Sequence, residues 1–236
     1  SEFLLVLDKK TIDKELYGAT LEDRLLMLEL FARGKKEMSV AFSSHGLFID
    51  KVRALRKIYP KKTELLFIVG YDTLVRLFDA RYYERRDEAL KSLFAESRFL
   101  VGNRGGGGEA SVRELLSAPG NKRFKGYVEF IEISDWAARL SSTDVREKVE
   151  RGEEIRGLVP VEIEGFIRQI GLYARAEKMG AGAGRDRYDV RCDILRRLLM
   201  AGLPDEAEFH LGGMVAEVME GEDALVVVEK FLMGLR

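Results

Sequence analysis

The stretch Leu140-Ser141-Ser142-Thr143-Asp144-Val145-Arg146 holds the side chains best suited to chemistry in this chain. Three hydroxyl residues open a predicted helix that runs toward Gly152, and Arg146 follows about one turn later. A helix start leaves backbone N–H groups without partners, and the helix dipole puts positive charge there. Hydroxyls add donors, and a guanidinium adds a planar fork that matches phosphate or carboxylate oxygens. A plainer reading fits the same residues, because Ser and Thr are ordinary N-cap residues. Spacing alone leaves anion binding and capping both open.

Other polar residues stand at similar places. Leu65 to Val69 is the clearest strand pattern, and Gly70-Tyr71-Asp72 follows it directly. Asp72 either accepts hydrogen bonds from a ligand at the strand's carboxyl end or caps the predicted helix Thr73 to Phe78. Gly70 permits close approach of a ligand to the backbone. The run Gly105 to Gly108 reads as a mobile loop; without a following Lys-Ser/Thr it is not a P-loop. The only histidines are His45 and His210, and both read as structural, His45 in a Ser44-His45-Gly46 loop. Cys192 reads as a half-buried helix residue.

The elements that must position these groups alternate. Phe3 to Leu7 is a continuous apolar run of the kind found in buried parallel strands. Thr20 caps a helix, with Asp23 at the third helical position and Leu21, Leu25, Leu28 and Phe31 on one face. A strand at Ser39 to Phe42, a helix at Ile49 to Tyr59, the strand at Leu65, a helix at Arg85 to Ala95 and a strand at Phe99 to Val101 follow. A helix at Val112 to Leu116 and a strand at Val128 to Ile133 complete the series. The pattern predicts an α/β protein whose parallel sheet is flanked by helices, with ligands at the strands' carboxyl ends. Residues 1–178 form this core, Gly/Ala-rich residues 179–185 a linker, and residues 186–236 a helical C-terminal appendage, with a third helix across Asp223 to Leu235. The apolar faces of that appendage suit packing on the core or on a second copy, as in a homo-oligomer.

Composition bounds the function. The 236 residues include 39 basic and 40 acidic ones, so net charge gives no argument for nucleic acid or an acidic membrane surface. One cysteine rules out an intrachain disulfide framework and fits a reducing compartment, cytoplasmic or nuclear. No apolar run approaches a membrane span, and no signal peptide opens the chain.

Beyond Arg146 come Gly152, then Leu158-Val159-Pro160, a short helix at Val161 to Ile170, and Gly171-Leu172-Tyr173. With Ser141-Ser142-Thr143 and Arg146 this resembles the C-terminal signature of the nicotinamide/nicotinate mononucleotide adenylyltransferases, with Leu140 where that family has Ile. A second match lies upstream, where Leu65 to Asp72 resembles the family's strand ending in Gly-x-Asp. The continuation Leu77-Phe78-Asp79-Ala80-Arg81-Tyr82-Tyr83 is most similar to the eukaryotic, particularly fungal, branch. The resemblance covers Phe3 to Tyr173.

The resemblance implies a Rossmann-like nucleotidyltransferase fold and transfer of AMP from ATP to NMN or NaMN, giving NAD or deamido-NAD and pyrophosphate, with Mg²⁺ on the ATP phosphates. It implies that Ser141, Ser142, Thr143 and Arg146 hold those phosphates, Arg146 being the catalytic group, and that Asp72 accepts from ribose hydroxyls beside Gly70. By the same resemblance Tyr82 or Tyr83 stacks on the nicotinamide ring, Lys14 meets substrate phosphate and Arg104 faces phosphate, while core packing of the tyrosines and a solvated loop lysine stay open; Trp136, just before the signature, either borders the adenine pocket or is a packed aromatic. The family's His-x-Gly-His-type motif, which follows its first strand, has no counterpart here, and Phe3 to Leu7 aligns with the second strand. The core is therefore expected to lack that first strand and its motif. A non-catalytic nucleotide-binding regulator and a sister adenylyl- or cytidylyltransferase with another acceptor are the alternatives. NMN and NaMN are not distinguished.

Overall fold

The computed structural model describes residues 1–9, 18–174 and 225–227. They fall into two compact units, one of residues 1–46 with 141–236 and one of residues 47–140.

In the first unit, β1 (Phe3–Asp8) lies parallel to β2 (Met38–Ser43), with Phe3 opposite Met38 and Asp8 opposite Ser43. Helix α1 (Leu21–Ala32) makes the crossover between them and starts on a capping box. Thr20 Oγ1 accepts from the Asp23 N–H at 3.2 Å, and Asp23 Oδ2 accepts from the Thr20 N–H at 3.0 Å, which satisfies two otherwise unpaired donors. Leu25 packs with Leu7, Val40 and Phe42 against this sheet. On the other side of α1, Leu26 joins Val145 of α7 (Ser142–Arg151) and Ile163, Phe166 and Ile167 of α8 (Val161–Gln169) in a second core.

The residue range 225–227 departs from expectation. Leu225–Val227 forms a short strand, β6, antiparallel to β2, with Val226 opposite Phe42. A run of Leu and β-branched Val suits a pleated surface better than a helix, and β2 offered an open edge. The linker at 179–185 and the remainder of the predicted appendage lie outside the described residues.

The second unit carries β3 (Leu65–Gly70), β4 (Ser97–Gly102) and β5 (Val128–Ile131), all parallel and paired in that order. Helices α2 (Phe48–Ile58), α3 (Tyr71–Phe78), α4 (Arg86–Glu96) and α5 (Glu109–Ser117) connect or flank these strands. One face packs by rings: Phe67 stacks on Phe99 at 5.2 Å, Phe48 meets both edge-on, and Phe94 stacks on Phe124 at 4.8 Å. Such pairs add about 0.5–1.5 kcal/mol each beyond area burial. Arg56 ties the far ends of α2 and α4, donating to Glu96 Oε2 at 2.7 Å and to the Thr63 carbonyl at 2.8 Å.

Both β1 and β3 read as buried strands, yet each has a partner on one side only among the described residues. Leu66 and Ile68, which share one face of β3, stay 51% and 61% exposed. Among the described residues no helix is long and apolar enough to cross a membrane.

Candidate functional site

The start of α7 is built as the sequence predicts. Ser141 is the N-cap; its Oγ accepts from the Asp144 N–H at 3.1 Å and donates to Asp144 Oδ2 at 2.6 Å. Capping thus accounts for one of the three hydroxyls. Ser142 and Thr143 stand exposed in the first turn, and Arg146 reaches back so that Nη2 donates to Thr143 Oγ1 at 3.0 Å. This places the guanidinium beside the first turn, next to unpaired backbone donors, where an anion would collect all of them. Val145, 8% exposed, anchors the helix to the α1–α8 core. Burial of a valine is worth roughly 1.5–3 kcal/mol, so the polar face is held from behind.

The same unit holds a residue that pattern reading missed. Arg24 lies in α1 between the buried Leu25 and Leu26 on one side and the buried Asp23 on the other. Its Nη1 is buried and has no hydrogen-bond partner among the described residues. Desolvation lowers its pKa, and the charges of Tyr173 and Asp8 oppose that. A half-buried guanidinium with an unused donor suits an anion. The signal available in sequence was an Arg interrupting the apolar run Leu25-Leu26-Met27-Leu28. His45 follows β2 and is buried, its backbone N–H donating to Ser43 Oγ at 3.0 Å.

In the second unit the carboxyl ends of β3 and β4 converge. Gly70 is the N-cap of α3, without a side-chain cap, and Asp72 sits in the first turn rather than at the capping position. The capping alternative for Asp72 is thereby removed, and its carboxylate has no hydrogen bond or ion pair among the described residues. The loop after β4 folds over it: the Tyr71 N–H donates to the Arg104 carbonyl at 2.9 Å. Gly105, at φ +88°, lets Asp72 pack against its backbone, and a Cβ on Gly70 would lie 2.9 Å from Asp72 Oδ1 and 3.2 Å from the Arg104 carbonyl. The open space expected at Gly70 for a ligand is thus filled by the chain's own atoms. The glycine run is a turn packed on the start of α3. Arg104 itself is exposed at that turn.

Tyr82 ends a short 3-10 helix and Tyr83 follows it. Tyr83 Oη donates to the Leu77 carbonyl at 2.9 Å, and burial pushes its phenol up to about 12. Both tyrosines line a cavity of about 400 Å³ together with Leu47 and Ile49 at the start of α2 and Ala89 of α4. Cavities of about 300–1,000 Å³ are the usual size for small-molecule sites. Trp136, on α6 (Asp135–Arg139), is 60% exposed. Its approach is fixed by Asn103, whose side chain exchanges two 3.0 Å hydrogen bonds with the backbone of Ile133. Lys14 lies outside the described residues. The structure therefore groups Gly70, Asp72 and Arg104, groups Tyr82 with Tyr83, and groups Ser141 to Arg146. Among the described residues no group of three or more His, Cys, Asp or Glu is arranged to hold a metal.

No protein-family model matches the chain. Curated relatives do. Over 160 residues the chain is 31% identical to a "Probable nicotinate-nucleotide adenylyltransferase" of Dehalococcoides mccartyi, covering 65% of this chain and 72% of that protein. This chain belongs to the nicotinamide/nicotinate mononucleotide adenylyltransferase family. Over 193 residues it is 29% identical to a Schizosaccharomyces pombe protein named "Putative nicotinamide mononucleotide adenylyltransferase", covering 73% of this chain and 76% of the relative. A further family member, a "Probable nicotinate-nucleotide adenylyltransferase" of Symbiobacterium thermophilum, is 30% identical over 159 residues, or 67% of this chain and 71% of its own length. The relatives thus include a fungal protein named for the amide nucleotide and bacterial ones named for the acid.

Proposed function

We propose that this protein is an adenylyltransferase that moves AMP from ATP to NMN or NaMN, forming NAD or deamido-NAD and releasing pyrophosphate. The observation that carries the reading is the start of α7, where Arg146 is held at Thr143 beside unpaired helix N–H groups. The 5′-phosphate of the mononucleotide attacks the α-phosphorus, and the bond to the pyrophosphate oxygen breaks. No protein nucleophile is needed; positioning and charge neutralisation lower the barrier. Ser141, Ser142, Thr143 and Arg146 hold the ATP phosphates, and Mg²⁺ enters with them as part of the substrate. Arg146 neutralises charge as it shifts to the leaving pyrophosphate.

Asp72 takes the ribose hydroxyls, since its carboxylate has no partner among the described residues and lies close against the loop at Gly105. Tyr82 and Tyr83 border the pyridine base, and Arg104, Lys14 and Trp136 are assigned to phosphate, phosphate and adenine. We place the protein in a reducing compartment, cytoplasmic or nuclear, on the strength of its single Cys192. The test is dinucleotide and pyrophosphate formation by the native full-length protein with ATP, Mg²⁺ and each mononucleotide. Nucleotide binding without pyrophosphate release would make it a non-catalytic relative.

A further inference from the structure

The cavity between α2 and α4 has a charge pattern that the reading above does not use. Three acidic residues line it, Asp50, Glu84 and Glu88, against two arginines, Arg53 and Arg85. Both cations are already engaged: Arg53 pairs with Asp50 at 3.0 Å and Arg85 with Glu88 at 3.3 Å. Glu84 has no ion-pair partner among the described residues, so the wall is left with an excess negative charge. The starts of α2 and α4 would by themselves favour an anion. Each already carries acid in its first turn, Asp50 in α2 and Asp87 with Glu88 in α4. The helix ends are therefore neutralised by the chain itself. What remains is a cavity lined by two tyrosines with an excess of acidic residues, a setting for a flat cation.

The two mononucleotides differ in charge at this point. Both bases are pyridinium cations, but NMN bears an uncharged carboxamide and NaMN a carboxylate. We propose that the cavity takes the pyridinium ring of NMN and disfavours that of NaMN, with Asp50 and Glu84 setting the preference. This rests on the adenylyltransferase reading, with the base seated between Tyr82 and Tyr83 and α2. The carboxamide can donate to a carboxylate, whereas a second carboxylate there meets like charge, and both arginines of the lining are already paired.

The test is steady-state kinetics of the full chain with ATP and each mononucleotide, for the native protein, Glu84→Gln, and the double variant Asp50→Asn with Glu84→Gln. The native protein is expected to favour NMN over NaMN in kcat/KM by about tenfold or more. Glu84→Gln, at an exposed position, narrows that ratio, and the double variant narrows it at least about fivefold, through a lower KM for NaMN. A merely structural role would not improve use of NaMN. A native preference for NaMN, or a ratio that neither variant moves, overturns the proposal while leaving the adenylyltransferase reading in place. Turnover of neither mononucleotide by the native protein overturns that underlying reading and this one with it.

Discussion

The carboxylate of Asp72 occupies the space a side chain on Gly105 would need: a Cβ built there would lie 2.9 Å from Oδ1 and 3.0 Å from the Asp72 Cβ. Gly105 also holds φ at +88°, which costs an L-residue roughly 1–2 kcal/mol. Gly105→Ala is therefore expected to lower the free energy of unfolding by at least about that amount and to turn Asp72 out of place. Urea denaturation reads the first effect and the KM for nucleotide the second. A variant with native stability and native KM would show that the loop does not hold Asp72.

Asp72 itself makes the complementary prediction. A carboxylate with no partner among the described residues contributes little to folding, so Asp72→Asn should leave stability within about 0.5 kcal/mol of native. If it accepts from ribose, loss of a charged acceptor costs about 1.5–3 kcal/mol, or a rise in nucleotide KM of about tenfold or more. The pairing of unchanged stability with raised KM is the diagnostic. A fall in stability with unchanged KM would assign the residue to the fold instead.

At α7 two neighbouring residues should separate structure from function. Ser141→Ala removes the N-terminal side-chain cap of α7 and is expected to destabilise by about 1 kcal/mol. Ser141→Asn should restore stability, since Asn caps equally well. Arg146→Ala loses one exposed hydrogen bond to Thr143, so its stability should stay within about 0.5 kcal/mol of native. Its turnover should fall on the order of 10²-fold, the usual cost of removing a donor aimed at developing charge. Near-native turnover in that variant would remove Arg146 from the phosphate site.

Most of the elements were legible in the sequence because period and caps agree. Thr20 with Asp23 announces α1, and the runs at Phe3, Leu65 and Phe99 become β1, β3 and β4. Three things were not legible. Val226 pairs with Phe42 across 184 positions of chain, and a short Leu-Val-Val run has no period of its own with which to declare a strand. The packing of Gly105 on Asp72 joins the loop after β4 to the first turn of α3, and glycine spacing cannot say what fills the room it leaves. Arg24 sat in an apolar helix as an ordinary charged residue until Asp8 and Tyr173 were placed beside it. In each case the missing information was a non-local contact.

Tyr83 ties the cavity wall to stability through its proton. Its folded pKa is pushed up to about 12, by burial first and by the Asp50 charge, with Arg86 opposing. An unfolded tyrosine ionises near about 10. Between those values the unfolded chain has released a proton that the folded chain still holds, so stability falls as pH rises. The contribution is full below about pH 10 and gone by about pH 12. Tyr83→Phe deletes this dependence and also the hydrogen bond to the Leu77 carbonyl, a loss of about 1 kcal/mol at neutral pH. The native protein should thus be the more stable of the two at about pH 8, and the gap should close as urea denaturation is repeated toward about pH 11. The other tyrosines titrate in both proteins and cancel in the difference. A gap independent of pH would mean that solvent reaches the Tyr83 phenol, and the cavity would then lack the shielded wall on which an acidic rim could discriminate between two mononucleotides.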